Sequence, residues 1–150
     1  MKYYQSRLSG ELLFKSQAEY FKMKNLNTYN ICILIPMFNE RDSIKKVIHS
    51  IRKLYKTISI VVINDGSTDD SEQIVLKERV DSISLPINLG IGGAVQTGLR
   101  YAYENGYQYA IQCDGDGQHD PRYIQDFLNH RRDADVIIGS RFLAYGKYTG

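Results

Sequence analysis

Two stretches, NICILIP at residues 30–36 and ISIVVIN at 58–64, are apolar at nearly every position. A strand with one face in water alternates apolar and polar residues, so a run without alternation has to be covered on both faces. A helical pattern follows each of them. After the first comes RDSIKKVIHSIRKLY, with Ile44, Val47, Ile48, Ile51 and Leu54 at helical spacing. After the second, the turn-rich DGSTDDS leads into another helix, which Ser67 or Asp69 can cap. SISLP then reads as a short third strand, Leu89 to Glu104 as a glycine-rich turn leading into a helix, and YQYAIQC as a fourth strand. Pro121 starts the helix PRYIQDFLNHRR, since its missing N–H costs nothing in a first turn, and DVIIG reads as the last strand. Strands alternating with helices in this way predict an α/β fold: a mostly parallel sheet with helices on both faces.

The chain has 150 residues, enough for one domain with a real core. At 43% hydrophobic and 24% charged it is close to a soluble globular average, which argues against disorder. Its formal net charge is +2 with both signs spread along the chain, too weak and dispersed to argue for nucleic acid. No apolar run approaches the ~20 residues of a membrane-spanning helix, and residues 1–29 lack the apolar block of a secretory signal. Cys32 and Cys113 sit inside apolar stretches and read as buried free thiols of a reducing compartment. The chain therefore reads as cytoplasmic. Residues 1–29 are polar and aromatic, with Leu12, Leu13, Tyr20, Phe21 and Met23 loosely at helical spacing. They read as an N-terminal extension, a short surface helix or frayed tail, with a membrane-surface helix as the sharper alternative. The domain proper is expected over 30–150.

In open parallel sheets, ligands bind outside the carboxyl ends of the strands. The unusual polar residues lie at those ends: Asn39 and Glu40, Asn64 and Asp65, Asp114 and Asp116, Ser140 and Arg141. Right-handed crossovers bring the four ends to one edge, which predicts a single polar cleft. Asp114-Gly115-Asp116 is the strongest local signal. Two carboxylates one residue apart in a bend can present oxygens to one hard cation, Mg²⁺ or Mn²⁺. Gly115 and Gly117 let that backbone bend tightly. An EF-hand reading fails, because its sixth position would be His119 rather than glycine and its twelfth Gln125 rather than glutamate. The competing reading is an acidic loop capping the helix at Pro121, for which Asp120 alone would suffice.

Asn64-Asp65-Gly66-Ser67 is either a strand-to-helix turn or a place where Asp65 faces a ribose or base edge. NLGIGGAVQTG does not carry a dinucleotide fingerprint, since Val95 stands where G-x-G-x-x-G needs its last glycine. A helix start rich in free N–H groups could attract phosphate; close packing and a tight turn explain the glycines equally well. Arg141, at the ligand edge, is a candidate phosphate clamp. His49 and His130 read as solvated surface residues, and His119 either lines the cleft or caps the bend.

In order and spacing, IPMFNE, INDGSTD, NLGIGGAVQTG, DGDGQHDP and IGSRF resemble family 2 glycosyltransferases, and within them the dolichyl- or polyprenyl-phosphate sugar synthases. The resemblance covers residues 30–142. It implies a GT-A fold that binds a nucleotide-diphosphate sugar and transfers the sugar with inversion. Carried onto this sequence, it puts Pro36, Phe38 and Glu40 beside the nucleotide, with Asn64 and Asp65 near its base and ribose. It makes Asp114 and Asp116, around Gly115, the DxD pair for metal and diphosphate, adds Gln118 as a further metal ligand, and sets Arg141 on phosphate. A lipid phosphate acceptor would already be an anionic nucleophile; a saccharide hydroxyl would need a general base.

The family often has Asp-Asp-Gly-Ser where this chain has Asn64-Asp65-Gly66-Ser67, which predicts an altered donor preference rather than lost binding. Family members also continue well past Gly150. The expectation is an incomplete chain holding the donor-binding half, with acceptor site and any catalytic base beyond residue 150. Such a chain would expose apolar surface and self-associate through it. The competing function is a non-catalytic nucleotide-binding or scaffolding module. A sugar nucleotidyltransferase would want a glycine- and arginine-rich phosphate loop after the first strand, and MFNERDS does not supply one.

Overall fold

A computed structural model describes residues 30–140. The helix expected within 1–29, and Arg141, lie outside the described residues. Two compact units meet in sequence between Pro121 and Arg122.

The first unit contains β1 (Ile31–Met37), α1 (Ile44–Leu54), β2 (Ser59–Asn64), α2 (Ser71–Glu78), β3 (Asp81–Ser84), α3 (Gly90–Glu104) and β4 (Tyr109–Gln112). The four strands pair in the order β3-β2-β1-β4, and every pair is parallel. The expected α/β fold is borne out. All of β1 is buried, as its unbroken apolar run requires. Two crossovers step outward from β1 through β2 to β3, and the third returns to the far side of β1. With right-handed connections this puts α1 and α2 on one face of the sheet and α3 on the other. It also makes the gap between the carboxyl ends of β1 and β4 the point where strand order reverses, the usual ligand crevice of such sheets.

Pro36 fits a central strand only because of register. The carbonyl of Leu34 accepts from the Cys113 N–H, and the carbonyl of Met37 from the Asp65 N–H. Even-numbered residues of β1 thus turn their peptide groups toward β4 and odd-numbered ones toward β2. Pro36 turns toward β4, whose ladder with β1 has already ended at Leu34 and Gln112. Its missing N–H costs no ladder bond there. Pro36 would be badly placed one residue earlier or later.

On the α3 face, Cys32, Leu34, Val61 and Ile63 form a cluster with Ala94 and Ala102. Ala94, Gly98 and Ala102 are the buried side of α3, one residue per turn. A β-carbon on Gly98 would lie 2.9 Å from Ile63 Cδ1 and 3.1 Å from Leu34 Cδ1, so this glycine sets how closely the helix approaches the sheet. On the other face, Ile44, Val47, Ile48 and Ile51 are the buried stripe of α1. Burial raises both free thiols, Cys32 and Cys113, to about 11; for Cys113 the nearby carboxylates of Asp114, Asp116 and Asp120 add to the effect. Both stay protonated and inert, as their apolar settings suggested.

Two sequence expectations change. The stretch after Leu89, read as a glycine-rich turn, is helical from Gly90 onward, because a carboxylate from another loop takes up the Leu89 N–H and starts the helix early. DVIIG is not a strand. Apart from a one-residue bridge at Gly139 it is irregular, with Val136 and Ile138 71% and 47% exposed. An apolar run becomes a strand only where a neighbour satisfies its peptide groups, and the described sheet stops at β4. Across the boundary, a 3₁₀ turn begun by Pro121 runs into α4 (Ile124–His130) of the second unit, where Ile124 and Leu128 are buried.

The glycines of α3 are not equivalent, and their substitutions should differ in sign. Gly98→Leu overpacks the sheet contact and should cost about 3 kcal/mol in urea unfolding. Gly92, with open space around it, should gain up to about 1 kcal/mol as alanine. A Gly98→Leu midpoint equal to that of the native chain would contradict the packing described.

Candidate functional site

The site is built from the loops that leave β1, β2 and β4, together with the start of α3. After β1, Phe38 is 45% exposed, and Asn39 takes a left-handed conformation with φ +56°. Asparagine tolerates that conformation better than most residues. The turn ties the first loop to the second. The Asn39 N–H donates to Ser67 Oγ (3.0 Å), and Asn39 Oδ1 accepts from the Thr68 N–H (2.8 Å). The Arg41 N–H donates to Asp69 Oδ2 at 3.4 Å. Asp69 Oδ1 also accepts from the Ser71 N–H at 2.9 Å, so Asp69 secures the start of α2, as one sequence alternative had it. Burial raises the Asp69 carboxyl, but bonds from Ser71 and Arg41 outweigh it, and the net shift is downward. Glu40 opens α1: its carbonyl accepts from the Ser43 and Ile44 N–H groups, and its carboxylate accepts from Ser43 Oγ.

After β2, Asn64 and Asp65 are buried, at 4% and 3% exposure. Asn64 Oδ1 accepts from the Ser67 N–H at 3.0 Å, which closes the turn. Asp65 Oδ1 accepts from the Leu89 N–H at 2.7 Å. A carboxylate on the N-terminus of α3 also meets the positive end of the helix dipole. Asp65 thus joins the β2 loop to α3, and Gly66 allows it. Its φ is +70°, and a β-carbon there would come within 2.9 Å of the Asn88 nitrogen and the Ile87 carbonyl carbon.

After β4, the acidic bend folds over the end of β1. Gly115 is buried, and a β-carbon on it would lie 3.1 Å from the Pro36 carbonyl oxygen and 3.6 Å from Glu40 Cγ. At Gly117, φ +82°, a β-carbon would lie 3.7 Å from Val47 Cγ2 of α1. The bend therefore occupies the β1–β4 gap that Pro36 leaves open. Asp114 is half-buried, with Oδ1 accepting from Gln112 Nε2 at 2.8 Å. Asp116 is exposed, and its Oδ1 accepts from the Gln118 N–H at 2.8 Å. His119 holds the bend from beneath. The Asp114 N–H donates to His119 Nδ1 (3.1 Å), which fixes the ring proton on Nε2, 3.6 Å from Asp114 Oδ2. Among the described residues, no three His, Cys, Asp or Glu side chains form a group that could hold a metal.

Pro36, Glu40, Asp114 and Gly115 are thus brought together at the strand-order reversal. Phe38 and Asp116 lie in the same loops, while Asn64 and Asp65 are committed to the turn and to α3. Sequence reasoning placed Asn39 at a strand end and offered His119 as a cap of the bend, but not the bonds by which Asn39 stitches two loops and the His119 ring holds the Asp114 N–H. Neither has a spacing signal; both depend on which loops the sheet order makes neighbours.

A family model described as Glycosyl transferase family 2 matches residues 32–149. The chain belongs to that family. Curated relatives include the UDP-N-acetylglucosamine–dolichyl-phosphate N-acetylglucosaminyltransferase of Methanococcus voltae, 33% identical over 74% of this chain and 51% of the relative. The undecaprenyl-phosphate mannosyltransferase of Micrococcus luteus is 29% identical, over 78% of this chain and 50% of the relative. Among solved structures, glucosyl-3-phosphoglycerate synthase from Mycobacterium tuberculosis, in complex with Mn²⁺, UDP and glucosyl-3-phosphoglycerate, superposes with a TM-score of 0.60 at 21% identity. That match covers 82% of this chain and 46% of the synthase. The fold is accordingly GT-A, and the chain spans about half the length of the curated relatives it matches. Among the described residues, no helix of this family 2 chain is long and apolar enough to cross a membrane.

The tie between β2 and α3 gives a sharp stability test. Gly66→Ala should cost about 2 kcal/mol, from the left-handed backbone and the backbone contact together, read as a lower urea midpoint. An unchanged midpoint would mean that residues 87–88 do not pack against Gly66.

Proposed function

We propose that this chain is the donor-binding part of a glycosyltransferase that moves a sugar from a nucleotide diphosphate, with inversion, to a polyprenyl phosphate. The observation that carries the reading is the acidic bend seated in the β1–β4 gap against Pro36 and Glu40. Membership of glycosyl transferase family 2, and relatives named for dolichyl and undecaprenyl phosphates, support it.

In this reading, the nucleotide lies along the loops after β1 and β2. Phe38 offers an exposed ring for the base, Asn64 and Asp65 shape the turn beneath base and ribose, and Arg141 binds phosphate. Asp114 and Asp116 hold a divalent cation, Mg²⁺ or Mn²⁺, with Gln118 beside them. Two carboxylates that no third His, Cys, Asp or Glu joins among the described residues fit a cation that takes its other ligands from a diphosphate and water. When bound, that cation supplies charge stabilisation for the departing diphosphate. His119 keeps the Asp114 backbone in place through its Nδ1 contact, so the bend is ordered before the donor arrives. A lipid phosphate attacks as an anion and needs no base from this part of the protein.

Calorimetric titration of the chain with UDP and GDP, with and without Mn²⁺, tests this. Binding of one nucleotide should depend on the metal, and Asp116→Ala should abolish that dependence while the fold persists. Absence of nucleotide binding by folded chain under both conditions would refute the reading, and metal-dependent binding retained by Asp116→Ala would move the metal elsewhere.

A further inference from the structure

Cations that look dispersed along the sequence are gathered by α1 onto one side of the molecule. The helix contains no acidic residue; its charged side chains are Lys45, Lys46, Arg52 and Lys53, with His49 among them. At about 100° per residue, Lys45, His49 and Arg52 form one stripe, and Lys46 and Lys53 lie directly beside it, within an arc of about 120°. The opposite side of the helix is the buried stripe of Ile44, Val47, Ile48 and Ile51. Among the described residues one carboxylate answers this face. Glu78, at the end of α2, is reached by Lys45 Nζ (3.5 Å), His49 Nε2 (2.7 Å) and Arg52 Nη1 (3.7 Å). Lys46 and Lys53 are exposed and, among the described residues, have no ion-pair partner. This helix alone carries +4, against +2 for the chain as a whole.

We propose that the exposed face of α1 is a docking surface for an anionic lipid bilayer. A convex helix face of lysine and arginine without aromatic side chains suits a flat layer of phosphate headgroups, with each cation gaining from the negative surface potential. It lacks the stacking platforms that single-stranded nucleic acid uses. The placement also fits. Glu40, whose carbonyl accepts from the first N–H groups of α1, has its Cγ 3.6 Å from where a β-carbon on Gly115 would stand, so the N-terminal end of this helix lies near the donor site. The choice of a lipid surface over other polyanions rests on the lipid-phosphate acceptor proposed above.

The test is co-sedimentation of the chain with phosphatidylcholine vesicles, with and without phosphatidylglycerol, at low and high salt. Binding should require phosphatidylglycerol, weaken with salt, and fall at least about tenfold in Lys46→Glu/Lys53→Glu. Both side chains are exposed and have no ion-pair partner among the described residues, so the double variant should keep the native urea midpoint and the native UDP affinity. Equal binding to both vesicle types would overturn the proposal, as would undiminished binding by the double variant. Tighter binding to polyuridylate than to the anionic vesicles would overturn it in favour of nucleic acid. Loss of UDP binding with vesicle binding intact would refute the donor reading and uphold this surface; the reverse would remove the surface alone.

Discussion

The geometry of this molecule turns on a hydrogen bond that Pro36 cannot make. In a central strand a residue without an N–H breaks the ladder, and here the break falls where β4 has left β1. The Pro36 carbonyl still faces the vacated side, and Gly115 packs against it so closely that a β-carbon there would lie 3.1 Å from the carbonyl oxygen. The result is a gap at the strand-order reversal with an acidic bend set into it. Every other feature of the site either closes that gap or braces it. Asn39, Ser67 and Thr68 lock the β1 and β2 loops together, Asp65 anchors α3, and His119 holds the bend.

Much of the architecture was legible because it follows from local patterns. Uninterrupted apolar runs required strands covered on both faces, and the stripe from Ile44 to Leu54 required an amphipathic helix. The Leu89 stretch was read as a turn because its helix start depends on Asp65, a residue far away in sequence. DVIIG failed for the opposite reason: its composition suits a strand, but strand formation needs a partner that composition cannot supply. Both errors concern long-range contacts.

For the site, the residue types at the strand ends were visible, and so was the edge they would share. Their division of labour was not. Asn64 and Asp65 read either as a strand-to-helix turn or as ligand-facing groups, and their side-chain oxygens accept backbone N–H groups of the Ser67 turn and of α3. A buried carboxylate that spans two elements has the same sequence signature as one that waits for a ligand. The charge of α1 was concealed in a similar way, since a helix collects onto one face residues that appear mixed when read in a line.

The central claim is that the bend in the β1–β4 gap is where a cation and a nucleotide diphosphate meet. Paramagnetic broadening of backbone amide signals by Mn²⁺, in the presence of UDP, reports that location directly. The account predicts that broadening centres on residues 114–118 and spreads to 37–40 and to Val47, leaving the C-terminal turn of α3 sharp. Broadening centred on any other loop, or spread evenly over exposed carboxylates, would contradict it.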